Sequence, residues 1–107
     1  MHTFLLLAAL SSQITFETRQ EGTMTTIIPQ VTLVEPCLCH VEIIAQRKGR
    51  GGESNSRQEN SLSLPANQTI DLSRLRLTIT PEDKVTIIVT VSDGQSLHLT
   101  QQWPPSE

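Results

Sequence analysis

Two thiols one residue apart, Cys37 and Cys39, followed at once by His40, are the side chains of this chain best suited to chemistry. A Cys-x-Cys pair can cycle between dithiol and disulfide, and two thiolates with an imidazole supply three of the four donors of a tetrahedral metal site. On a regular strand residues i and i+2 point the same way about 6.6 Å apart, whereas a disulfide wants Cβ atoms roughly 3.5–4.5 Å apart. Bridging the pair therefore requires a local bend, and a bond so formed is expected to reduce easily, which is the reading of Cys37 and Cys39 as a redox pair. The quieter reading is two small apolar side chains packed at the end of a core-facing strand, because cysteine is among the residues most often buried. Metal binding has less behind it: His40 alternates to the other face of the strand and no second Cys/His cluster completes the set. No nucleophile elbow, phosphate-cradling glycine loop or close carboxylate pair is present. The expectation is a non-enzyme without metal or cofactor, thiol–disulfide exchange being the enzymatic alternative.

The elements that position this pair read as strands. Gln13–Thr18 alternates apolar and polar residues, the pattern of a half-buried strand. A second candidate runs from Thr25 to Val34 and contains Pro29, which places it at a sheet edge or at a bulge, since proline cannot donate to a ladder. The third, Cys37 to Gln46, puts Cys37, Cys39, Val41, Ile43 and Ala45 on one face and His40, Glu42 and Gln46 on the other. From Arg47 to Asn60 the chain is polar, with Gly49, Gly51 and Gly52 among charges, and reads as a mobile loop. Apolar segments resume at Leu62 and Leu64 and recur at Ile70–Leu72, Leu75–Ile79 and Val85–Val91, separated by turn-forming Pro65-Ala66-Asn67 and Pro81-Glu82-Asp83. Ser92-Asp93-Gly94 suits a three-residue hairpin loop that pairs Val89 with Leu97 and Ile87 with Leu99, and Pro104-Pro105 stop the strand after Trp103. This spacing predicts an all-β sandwich of about seven short antiparallel strands.

The 107 residues fit a single small domain. A net charge of -3 and 3% aromatic residues argue against a nucleic-acid partner, which calls for a basic surface with stacking rings. The apolar run Thr3–Leu10 is far short of the roughly 20 residues of a membrane span. With Ala8, Ala9, Ser11 and Ser12 behind it, it reads as a short secretory signal over residues 1–8, cleaved somewhere between 8 and 12 and followed by one domain over 9–107. Two cysteines suit the oxidising compartment that such export reaches.

Several segments together carry a resemblance: Leu5-Leu6-Leu7-Ala8-Ala9-Leu10-Ser11-Ser12-Gln13-Ile14-Thr15-Phe16, Cys37-Leu38-Cys39, Leu62-Ser63-Leu64-Pro65-Ala66-Asn67-Gln68, and the closing run from Val89 to Leu99 with Gln101-Gln102-Trp103-Pro104-Pro105. They are similar to the CsgC-like family of curli assembly proteins over nearly the whole chain. The resemblance implies an immunoglobulin-like sandwich in the periplasm of a Gram-negative bacterium. It also implies a monomeric, chaperone-like part in curli biogenesis, keeping the curlin subunit, a transient client, from forming amyloid too early. A redox role for the Cys-x-Cys pair, towards the outer-membrane curli pore as a second partner, is the alternative within the family.

Two physical routes lead to such inhibition. A rim strand of the sandwich can pair with a nascent amyloid edge and block the next addition. Alternatively Arg47, Lys48, Arg50, Arg57, Arg74, Arg76 and Lys84 form a basic client-binding patch that attracts acidic segments of the client.

Overall fold

In the computed structural model, which describes residues 11–105, eight strands follow one another without a helix: β1 (Gln13–Glu21), β2 (Met24–Thr32), β3 (Cys37–Gly49), β4 (Gly52–Leu64), β5 (Thr69–Asp71), β6 (Leu75–Thr78), β7 (Lys84–Ser92) and β8 (His98–Trp103). The leader expected over residues 1–8 lies outside the described residues. One sheet has β1 and β2 side by side, with β5 and β6 sharing the far side of β2; the other runs β4-β3-β7-β8. All strand pairs are antiparallel, and this two-sheet sandwich is compatible with an immunoglobulin-like arrangement.

The core follows from period-2 alternation. Ile27 and Val31 from β2, Cys39, Val41 and Ile43 from β3, and Val85, Ile87, Val89 and Val91 from β7 meet between the sheets, with Ile14, Leu33 and Leu64 around them. Each belongs to the inward set of its strand, apart from Leu33, which follows the end of β2 and forms an isolated bridge with Ala66. Cys37, Cys39, Val41, Ile43 and Ala45 do share one face, as the alternation in β3 requires.

Pro29 does not lie at an edge. β2 is flanked by β1 on one side and by β5 and β6 on the other. Within an antiparallel strand a residue's N–H and C=O point to the same side, and the Pro29 carbonyl accepts from Leu72 N–H at 2.8 Å. The missing donor therefore faces the gap between β5, which pairs with Gln30–Thr32, and β6, which pairs with Met24–Ile27. A central strand tolerates the proline because its neighbour is broken at that point.

The segment expected as a mobile loop is a strand. β3 continues to Gly49, turns through Arg50 and Gly51, and returns from Gly52, whose φ of 119° is open to glycine. Ladder bonds run unbroken from Gly49↔Gly52 to Cys37↔Leu64. The apolar signal is missing because Gly52–Ser61 is exposed throughout. The inward positions Ser54, Ser56, Gln58 and Asn60 have no core to fill, so the sequence carries no alternation to read.

The last hairpin is also longer than the expected three-residue loop. Val91 pairs with Leu99, Val89 with Gln101 and Ile87 with Trp103. The Asp93 carboxylate accepts from Gln95 N–H at 2.7 Å and Leu97 N–H at 3.0 Å, and Asp93 N–H donates to Leu97 C=O at 3.2 Å. This side-chain cap closes a loop over Asp93–Leu97 that the glycine position alone does not suggest. The slide is by an even number of residues, so inward faces are kept, and Trp103 packs against the core opposite Ile87.

A polar clasp ties the far end of β3 to the turn before β7. Asp83, with its side chain 8% exposed, accepts from Thr80 N–H and from the Arg47 guanidinium, both at 2.9 Å. Gly49 is required there, because a Cβ at that position would collide with the Asp83 carboxylate.

Two expectations follow for stability. Ile87 is 0% exposed, so Ile87→Ala should cost about 2–5 kcal/mol in urea unfolding; a loss under about 1 kcal/mol would mean that the site collapses freely. The Asp83 carboxyl is held below its ordinary 3.8, first by the Thr80 N–H and then by Arg47, against the opposing effect of desolvation. A carboxylate with a lowered folded pKa adds stability above its unfolded value and loses it as pH falls through the folded one. Asp83→Asn should therefore be less stable than wild type near neutrality, with the gap closing below pH 3.8; a gap independent of pH would contradict the clasp.

Candidate functional site

The start of β3 places the sulfur pair. Cys37 and Cys39 are bonded to each other, with Cα atoms 5.4 Å apart, shorter than the flat-strand spacing, so the strand is bent there. Cys39 is 1% exposed within the core and Cys37 is half-buried against it. The two side chains pack as apolar groups and are also joined. Only Cys37 borders solvent, beside a hollow of about 200 Å³ whose rim includes Val34, Glu35, Pro36, Asp93 and Leu97. A reactive thiol is usually activated by neighbouring cations or a helix N-terminus, and the charged groups at this hollow are carboxylates. His40 lies on the outer face, 3.2 Å from Glu59. Among the described residues no three metal-ligating side chains come together.

The seven cations separate into three places. Arg47, Lys48, Arg50 and Lys84 gather where β3 turns into β4, with Lys48 directly across from Lys84 and Arg50 in the turn. Arg47 is bound to Asp83, and Lys48 stands 3.9 Å from Glu53 with both side chains well exposed. That distance and exposure make the second pair a weak one. Among the described residues Arg50 and Lys84 form no ion pair, so this end keeps a positive excess. Arg57 is apart from them, on the outer face of β4, held by Glu42 at 2.5 Å and Glu59 at 2.9 Å. Arg74 and Arg76 belong to the opposite sheet, Arg76 on β6 and Arg74 just before it.

Sequence reasoning missed the counter-charges that sort these cations. Asp83 was legible only as part of a Pro-Glu-Asp turn, and Glu42 and Glu59 become partners of Arg57 only once β4 is a strand in register with β3. The spacing of Glu42 and Arg57 about a glycine-rich centre is the one signal of that pairing.

Comparison with known proteins agrees with this architecture. The family model described as thin aggregative fimbriae synthesis protein, Tafi-CsgC, matches residues 5–103. The curli assembly protein CsgC of Salmonella typhimurium is 67% identical over 106 residues, covering 99% of this chain and 98% of its own, and that of Escherichia coli K12 is 64% identical, covering 99% and 96%. The solved E. coli curli protein CsgC, a SeCys form, superposes with a TM-score of 0.86 at 63% identity, over 89% of this chain and 100% of its own. The solution structure of R. palustris CsgH shares the fold, with a TM-score of 0.66 at 18% identity over 83% of this chain and 89% of its own. A two-sheet sandwich with a Cys-x-Cys start to its third strand, matched along almost its entire length, belongs to the CsgC family of curli assembly proteins.

Proposed function

We propose that this protein is a periplasmic, non-enzymatic curli biogenesis factor that restrains premature amyloid polymerisation of the curlin subunit through its folded surface, without a cofactor. In this reading residues 1–8 direct export and the domain over 9–107 acts as a monomer on a transient client. The observation that carries it is the positive end of the β4-β3-β7-β8 sheet, where Lys48, Arg50 and Lys84 stand together on a chain whose overall charge is -3. A local cationic cluster on an acidic protein attracts acidic segments at a distance while the rest of the surface repels them. Contacts of this kind are short-lived and suit a factor that delays nucleation at substoichiometric amounts. Arg74 and Arg76 carry further positive charge on the opposite sheet, whereas Arg57 is neutralised by Glu42 and Glu59. The carboxylate-rimmed hollow beside Cys37 gives the oxidoreductase alternative no local support.

The test is the lag time of curlin fibril formation relative to the subunit alone. Wild type should lengthen it at about 0.05 M salt and lose most of that effect at about 0.5 M, where charges are screened within a few ångströms. Reversing the cluster with Lys48→Glu, Arg50→Glu and Lys84→Glu should shorten the lag towards the untreated value, while a folded Cys37→Ser, Cys39→Ser variant should delay fibrils as wild type does. Delay that is indifferent to both salt and charge reversal would remove the electrostatic basis, and delay that needs the cysteines would restore thiol chemistry.

A further inference from the structure

The sandwich has four sides on which a strand could be added, and three are guarded. β1 and β8 pack against one another across one side, and β8 is six residues long and runs into Pro104 and Pro105. On the other side of the first sheet β5 and β6 are only three and four residues long and are broken apart. β4 is different. It is 13 residues long, is exposed from Gly52 to Ser61, contains no proline or lysine, and keeps an unbroken register with β3 that leaves no room for a bulge. Short length, proline, bulges and charged side chains, lysine above all, are the usual devices that keep an edge from pairing with another chain. Of these β4 has only charges, at Glu53, Arg57 and Glu59.

Those charges are engaged mostly sideways. Arg57 is turned to Glu42 and Glu59, and Glu59 also to His40, while Glu53, at the turn end of the strand, is only weakly matched by Lys48. What remains to face a newcomer is hydroxyl and amide: Ser54, Ser56, Gln58 and Asn60 on the inward side, Asn55, Ser61 and Ser63 on the outer. Amides aligned across strands form ladders of hydrogen bonds in cross-β assemblies.

We propose that β4 is the docking edge for the client, which adds to it as a ninth strand. The occupant that fits is an extended, weakly charged segment rich in amide and hydroxyl side chains. This rests on the inhibitory reading above and names its site. Cross-β growth uses both edges of each strand, one to join and one to receive. A client strand held on β4 has lost one of the two.

Docking is read by amide protection in the isotope-labelled mature protein, with monomeric curlin subunit as the probe, and inhibition separately by lag time. Backbone N–H groups that point away from β3 occur at alternate residues along an antiparallel edge. These alternate amides between 53 and 63 should slow in exchange by about fivefold or more on adding the subunit, while those of β1, β5, β6 and β8 stay unchanged. Of the neighbours Gln58→Pro and Glu59→Pro, one removes an outward N–H without breaking a bond to β3; the variant that keeps the native spectrum should lose that protection. Protection confined to β1, β8 or the Arg74–Arg76 face overturns the proposal. So does protection of β4 that rises with protein concentration in the absence of the subunit, which would make the occupant a second copy. Protection of β4 without a longer lag keeps the docking edge and removes the inhibitory function; a longer lag without protection of β4 does the reverse.

Discussion

The continuous pairing of β3 on both of its sides is the constraint on which the rest of the structure depends. Its inner residues Cys39, Val41 and Ile43 fill the core, nine of its residues pair with β7, and all of it pairs with β4. Because the β7 ladder fixes β3 and the core fixes its face, β4 is carried as an extension with little burial of its own. The outer charges gain their partners by the same registration, since Arg57 meets Glu42 only because Ile44 is opposite Arg57 and Glu59 opposite Glu42. A one-residue slip in β3 would turn Val41 and Ile43 outward and dissolve these pairs together.

The disulfide is best understood from the same strand. Regular geometry holds residues i and i+2 too far apart for a bond, and the bend at Cys37–Cys39 occurs before the β7 ladder begins, at His40. Here β3 is held on one side by β4 and is free on the other, so the distortion disturbs no pairing with β7. With Cys39 in the core, the link fixes the entry of β3 after Pro36. The link is part of how the strand begins, and the charged groups at the hollow beside Cys37 are carboxylates, which do not activate a thiol.

How much of this was legible in the sequence depended on burial. Strands with one face in the core, such as β3 up to Gln46 and β7, announce themselves through Val41 and Ile43 or Val85 to Val91, because the hydrophobic effect writes period 2 into them. β4 could not be found that way. Its Ser54, Ser56, Gln58 and Asn60 look inward at solvent, and the glycines at 49, 51 and 52 resemble a loop when they are a turn. Pro29 misled for a related reason: the rule that proline avoids central strands concerns a missing donor, and whether that donor has a partner is decided by the break between β5 and β6, far away in sequence. The cationic residues could be counted but not grouped, since Asp83, Glu42 and Glu59 divide them through contacts that only the register creates.

On the proposed reading the two surface features divide the work of recognition by range. A cluster such as Lys48, Arg50 and Lys84 acts over about 8–10 Å at moderate salt, which raises encounter rates and carries no information about backbone. An edge such as β4 acts only at hydrogen-bond distance and selects for an extended chain. The cluster lies at the Gly49–Gly52 end of that edge, so a segment drawn to the charges arrives beside a free row of backbone donors and acceptors. Because Arg57 and Glu59 are answered nearby, a neutral polar strand meets little electrostatic barrier to pairing along that stretch of the edge. Without a steering end such an edge would meet clients only by unguided diffusion. Without the edge the same charges would hold acidic segments in any conformation, folded or not. On this reading, their placement at one end of one strand pair makes recognition depend on charge for encounter and on extension for capture, and extension is what a chain about to join a fibril must have.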